Sequence, residues 1–222
     1  MEEARSRIDG AGDGRPVRIV AVTKGFGAEA VAAALSAGLV DIGENYADEL
    51  VAKAHDLVAL RPAGRPGDGG VAGDTGPVWH YLGAVQRNKV ARLVPMVSWW
   101  EGLRRIEEGR AIARRRPGST VLVQVDVAGI PGRGGCAPEE VESLVEALRL
   151  EDLEVAGLMA VGHPGGPEEA RPGFRLLVAR ADSLGLPVRS IGMSDDFEVA
   201  VEEGSTMVRL GRVLFGDRAP HR

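Results

Sequence analysis

The run VRIVAVTK places one amine, Lys24, at the end of a short apolar, β-branched segment. The chain has 27 basic residues, but its lysines are only Lys24, Lys53 and Lys89. Arginine can replace lysine on a solvated surface. It cannot do so where a neutral amine must attack a carbonyl, because its pKa stays above about 12. A scarce lysine at the C-terminal end of a buried strand therefore reads as a Schiff-base former. The plainer alternative is a lysine that snorkels at a strand end, and position by itself favours that alternative.

The elements that must position such an amine are legible as alternating patterns. Strands are expected at 17–23, 39–45, 78–84, 96–102, 119–127, 154–162, 188–193 and 207–211. Helical spacing is expected near 28–37, 47–58, 86–94, 103–115, 138–150, 167–184 and 195–203, with Pro138 and Pro167 in first turns that tolerate proline. Eight strands alternating with helices predict an α/β fold, either a closed (β/α)8 TIM barrel or an open doubly wound sheet. Neither G-x-G-x-x-G nor G-x-x-x-x-G-K-[ST] occurs, which weakens the open sheet. At 222 residues the chain is shorter than the roughly 250 typical of a barrel, so most loops must be short. The exception is 61–77, which reads as a flexible Gly/Pro-rich loop on the face away from chemistry. Residues 1–16 form a short N-terminal segment, and the barrel occupies 17–218.

In a barrel, chemistry collects at the C-terminal ends of strands. Lys24, Asn45, Ser98, Gln124 with Asp126, Ser194 and Arg209 lie at or near the expected ends. A phosphate site is often built after strands seven and eight. Here those ends carry Ser194 and the stretch Arg209, Leu210, Gly211, Arg212. Alternative readings stand beside these: Ser194 and Asn45 as helix N-caps, Gly211 as a tight turn, Met159 as barrel core. His80 reads as a satisfied strand residue and His163 as part of a solvated loop.

Bulk properties exclude several functions. A net charge of −5 and nine aromatic residues (4 Phe, 2 Tyr, 3 Trp) argue against a nucleic-acid surface. A single cysteine allows no internal disulfide and suits a cytoplasmic location. No stretch approaches the ~20 apolar residues of a membrane span, the N-terminus has no signal-peptide core, and no His/Asp/Glu cluster has metal-ligand spacing.

VAVTKGFG, DIGENYADEL, WHYLGAVQRNKV, AGLMAVG and IGMSDDFEVAVEEGSTMVRLGRVLFG together resemble the pyridoxal phosphate (PLP) homeostasis protein family, also called the YggS/PROSC family. That family is similar to the N-terminal barrel of alanine racemase. The resemblance runs from Val17 to Arg218 and implies a PLP-bearing TIM barrel that handles the cofactor without firmly assigned turnover. It implies Lys24 as the Schiff-base lysine, with Asn45, Met159 and Arg209 near the ring. Ser194 and the N–H groups of Gly211 and Arg212 would lie on the phosphate, with Ser205 and Thr206 as weaker candidates. An arginine facing the pyridine nitrogen leaves that nitrogen unprotonated and weakens carbanion chemistry.

Three departures stand out. The segment before the first strand is shorter than the family's usual N-terminal helix. Arg212 replaces a small hydroxyl residue, and Arg133 stands where a lysine is frequent. The expected function is intracellular PLP homeostasis by a monomeric carrier that can serve PLP-dependent apoenzymes. The alternative is a weak or restricted PLP-dependent racemase. The chain ends shortly after its eighth strand, so the β domain that supplies a second racemase base is not expected. Loss of that base forfeits roughly 10²–10⁴-fold. A phosphosugar-binding module would leave Lys24 unexplained.

Overall fold

The structure, a computed structural model, describes residues 1–59, 76–130 and 134–217. Most of the expected 61–77 loop, together with Arg133 and Arg218, lies outside the described residues. Eight parallel strands close into a barrel in sequence order: β1 Arg18–Val22, β2 Asp41–Glu44, β3 Val78–Tyr81, β4 Val97–Leu103, β5 Thr120–Gln124, β6 Glu154–Met159, β7 Val188–Ser190 and β8 Met207–Leu210. Closure is made by β8 on β1, with Ala21 opposite Leu210; on its other side Ala21 faces Ile42 of β2. The doubly wound alternative is thereby excluded.

Helices follow the strands: α2 Ala28–Ser36, α3 Ala47–Ala59, α4 Val90–Leu93, α5 Ile106–Ala113, α6 Val141–Leu150, α7 Pro167–Ser183, α8 Phe197–Glu202 and α9 Arg212–Phe215. The strand period of two sorts residues onto two faces. Ile19, Ala21, Ile42, Trp79, Tyr81, Val121 and Val123 turn outward and join one core with Val31, Leu50, Leu93, Ile112, Leu148, Phe174 and Phe197 of the helices. Burying each large side chain of this layer contributes about 1.5–3 kcal/mol. The alternate positions fill the barrel. A Cβ on Gly43 would fall 2.8 Å from Leu82, 3.0 Å from Val20 and 3.3 Å from Val22, so those side chains meet inside.

The structure corrects several boundaries. Seven of the eight expected strands run past the observed C-terminal ends, and β4 instead ends one residue later than expected, at Leu103. The helix expected at 86–94 shrinks to the single turn of α4. The short N-terminal segment carries a helix, α1, Glu2–Ala11, which buries Ala4 and Ile8. It docks on α8, where Arg7 pairs with Glu198 (Nη2–Oε2 2.7 Å) and lies 4.7 Å from the Phe197 ring centroid. Two apolar contacts four residues apart in a ten-residue helix are too weak a periodic signal to be read without the partner surface.

Candidate functional site

A cavity of about 390 Å³ opens at the C-terminal ends of the strands, within the usual size range of small-molecule sites. Lys24, Asn45, Met159 and Ser194 line it, and so do Arg209, Gly211 and Arg212. These seven are sequence candidates brought together by β1, β2, β6, β7 and β8. Val22, Leu82, Val161, Met193 and Asp195 complete the wall and were not singled out from the sequence. Their signal was position alone, at or just past a strand end.

Lys24 lies two residues beyond β1, and its backbone is held on both sides. Thr23 N–H donates to Gly43 O (3.0 Å) and Thr23 Oγ1 donates to Glu44 Oε1 (2.7 Å). Lys53 Nζ donates to Thr23 O (2.7 Å) and forms a buried ion pair with Glu44. Beyond Lys24, Gly25 turns with φ 75° and donates its N–H to Glu49 Oε2 (2.8 Å). Glu49 and Lys53, one turn apart on α3, also pair at 3.3 Å. Burial raises the Glu44 carboxyl above its ordinary range, against the opposing pull of Lys53 and Thr23. This bracket of Glu44, Glu49 and Lys53 is the largest functional feature that sequence reasoning missed.

Asn45 Oδ1 is buried and lacks a hydrogen-bond partner, so it does not cap α3 as the alternative reading held. A Cβ on Gly83 would lie 2.0 Å from Asn45 O, so a glycine there permits the close approach of the two loops. Tyr46 is 59 % exposed and does not line the cavity. Met159 is both core and wall: it is 2 % exposed and ends β6 at the cavity.

Ser194 does not cap α8, which starts at Phe197. Its Oγ accepts the Val213 N–H of α9 at 3.3 Å, tying the loop after β7 to the turn after β8. Arg212 is exposed and its guanidinium pairs with Asp195 at the rim. Thr206 and Ser205 are placed at the opposite end of β8. Thr206 Oγ1 accepts the Arg189 N–H (2.8 Å), and Ser205 Oγ donates to backbone carbonyls (Ile191 O 2.8 Å). Neither reaches the cavity. Ser98 is an exposed residue at the start of β4, also far from the mouth. Gln124 and Asp126 instead fold the loop after β5: Gln124 Nε2 donates to Gly134 O (2.8 Å), and Asp126 Oδ1 accepts the Gly129 N–H (3.0 Å). His163 is held in its own loop by Gly165 N–H (3.1 Å).

Arg209 is 5 % exposed and points its guanidinium across the barrel top. Nη2 donates to Ala160 O (2.7 Å) and Nη1 to Ser190 Oγ (2.8 Å) and Ser190 O. Burial lowers its pKa, and the charges of Glu101 and Asp196 oppose that.

His80 stands deeper in the barrel, fully buried, with its ring stacked on Trp99 at 5.5 Å. Its Nδ1 meets Glu101 Oε1 (2.6 Å) and its Nε2 meets Asp41 Oδ1 (2.9 Å). Burial opposes the imidazolium, but the two carboxylates outweigh it and raise the pKa. Arg18, 3.8 Å from Asp41, and Arg209, behind Ser190, are the other charges facing this group. A folded-state pKa above the unfolded value of about 6.5 adds stability that is complete below that pH and is lost as pH rises through the folded value. The melting-temperature gap between the wild type and His80→Gln is therefore expected to be widest near pH 6 and to narrow in alkaline buffer. A gap that widens with pH contradicts the assignment.

Among the described residues no group of His, Cys, Asp and Glu is arranged to hold a metal ion, and no helix is long and apolar enough to cross a membrane.

The chain matches the alanine racemase N-terminal domain family over residues 5–219. It is 36 % identical to the pyridoxal phosphate homeostasis protein of Pseudomonas aeruginosa over 93 % of this chain and 86 % of that protein. The chain belongs to the pyridoxal phosphate homeostasis protein family. Within reach of this homeostasis family is a structure of PipY from Synechococcus elongatus PCC7942 with PLP bound. It superposes with a TM-score of 0.76 at 26 % identity, covering 95 % of this chain and 99 % of that one. Alanine racemase of Clostridium difficile 630 shares the fold (TM-score 0.68, 15 % identity, 99 % of this chain and 57 % of that one).

The residues present fit PLP. One amine, a buried amide oxygen lacking a partner, a buried guanidinium and a serine hydroxyl at the β7 and β8 ends all line one cavity sized for a ring with a phosphate arm.

Proposed function

We infer that this homeostasis-family protein binds PLP and holds it on Lys24 as a carrier. What carries the reading is that Lys24 and the Ser194–Gly211–Arg212 turn line the same cavity. When bound, PLP supplies an aldehyde and a dianionic phosphate. Lys24 would be the residue that holds that aldehyde, through its amine. Ser194 Oγ and the N–H groups of Gly211 and Arg212 would hold the phosphate, the Val213 N–H being already donated to Ser194 Oγ. Arg212 already balances Asp195 at the rim, so it adds less net positive field than an unpaired arginine. Arg209, a donor without acceptor capacity, would meet the ring nitrogen and disfavour its protonation. Asn45 and Met159 would hold the ring from the cavity wall.

The carrier reading rests on the acid–base groups available. The titratable residues lining the cavity are Lys24, Asp195, Arg209 and Arg212. Tyr46 is turned to solvent, and Tyr81 is packed edge-on against Trp100 at 5.8 Å. Asp195 is tied to Arg212 at the rim, and among the described residues no other carboxylate, histidine or tyrosine lines the cavity with Lys24. The protein is proposed to act as a cytoplasmic monomer that releases PLP to PLP-dependent apoenzymes.

Mixing the protein with PLP is expected to give a yellow species. Borohydride should fix it, and peptide mass analysis should place the adduct on Lys24. An adduct on Lys53 or Lys89 refutes the assignment. Chiral analysis of amino acids incubated with the loaded protein is expected to show no sustained inversion; inversion at enzymatic turnover replaces the carrier reading with a racemase.

A further inference from the structure

A line of polar groups crosses the barrel beneath the cavity: half-buried Asp41 on β2, then buried His80 on β3, Glu101 on β4, Ser190 on β7 and Arg209 on β8. Of these, only Arg209 lines the cavity. Glu101 and Ser190 are fully buried. Ser190 Oγ donates to Glu101 Oε2 at 2.6 Å, and Arg209 Nη1 donates to the same Oγ at 2.8 Å. A hydroxyl has one proton. Ser190 gives it to Glu101, so toward Arg209 its oxygen acts only as an acceptor. Glu101 also supplies the negative charge nearest the buried guanidinium in this line, where an uncompensated ion is strongly disfavoured. The other oxygen, Oε1, is occupied by His80, so the carboxylate is fixed at both ends.

We propose that Glu101 is a positioning residue for the cofactor cavity. It sets the polarity of the Ser190 hydroxyl, and through it the placement of the Arg209 guanidinium against the ring of bound PLP. The inference rests on the PLP-carrier reading. A carboxamide at 101 has an N–H₂ that can donate to Ser190, turning the serine proton toward Arg209, where two donors then oppose each other. Asp41 and His80 serve the same end indirectly, by holding Glu101.

The test measures PLP affinity, the absorbance maximum of the bound cofactor and the melting temperature. The chains are wild type, E101Q, S190A, R209M and the double variants E101Q/R209M and S190A/R209M. E101Q is expected to weaken PLP binding about tenfold, the loss of one charge-assisted contact, and to shift the absorbance maximum. S190A should reproduce both changes in smaller measure. In the R209M background neither substitution should alter affinity further, although both still change the melting temperature. A purely structural Glu101 would instead lower affinity equally with and without Arg209, and that result overturns the proposal. So does a folded E101Q that binds PLP as the wild type does. If E101Q fails to melt cooperatively, the S190A pair decides by the same criterion. A wild-type chain that does not bind PLP refutes the carrier reading and this inference together; wild-type binding with affinities unchanged in the variants refutes the inference alone.

Discussion

Lys24→Ala is expected to abolish the borohydride-fixed adduct while the protein still binds PLP in a phosphate-dependent way. The other two lysines cannot take over. Lys53 is 4 % exposed and its three donors go to Thr23 O, Glu44 and Glu49. Lys89 is paired with both carboxylate oxygens of Asp48 at 3.1 and 3.2 Å and does not line the cavity. Lys24→Arg should fail equally, because a guanidinium stays protonated and has no lone pair to offer. What remains in Lys24→Ala is the phosphate grip. A hydrogen bond to a charged group contributes about 1.5–3 kcal/mol. Adding Ser194→Ala should therefore weaken the residual affinity about ten- to hundredfold, and pyridoxal, which has no phosphate, should show no such drop. Titration by absorbance or fluorescence reads both. A persistent adduct in Lys24→Ala, or equal losses for PLP and pyridoxal, contradicts the site.

Lys53→Met should produce the largest stability loss of any single polar substitution near the site. Removing one partner of a buried ion pair costs about 3–5 kcal/mol, because the other charge is left in a low-dielectric interior. Glu44 is poorly placed to bear this. It is fully buried, its Oε2 already lacks a partner, and Thr23 would be its remaining donor. The same change leaves Thr23 O without the Lys53 donor, so the turn that carries Lys24 loosens and adduct formation slows. Two controls separate these effects. Glu44→Leu with Lys53→Met removes both charges and should recover much of the stability, since well-packed apolar pairs replace buried ion pairs at little cost. Acid should also help the single variant: the Glu44 carboxyl is already raised by burial, so it takes up a proton as pH falls and the stranded charge disappears. Urea denaturation across pH reads this directly. A penalty for Lys53→Met that grows toward low pH would show that Glu44 is not the stranded group.

Much of this architecture is written locally. Alternating β-branched runs and helical spacings are short-range signals, and they located all eight strands and the helices α2 to α8, but not α1 or α9. Lys24, Asn45, Ser194 and Gly211 were found because they follow strands, where the fold collects its chemistry. Thr206 could have been rejected on the same ground. It precedes β8 and Gly211 follows it, a separation of about 16 Å along an extended strand. Glu49 and Lys53 lie four apart on α3, but nothing local shows that the lysine turns inward to Thr23 and Glu44. The chain by itself thus determined the order of elements, the amine and the turn residues, because propensity and period act between near neighbours. Only the closed barrel decided which polar groups meet inside it. His80 finds Glu101 across 21 residues and Ser190 finds it across 89, and such partners are set by strand register and closure, which no local pattern encodes.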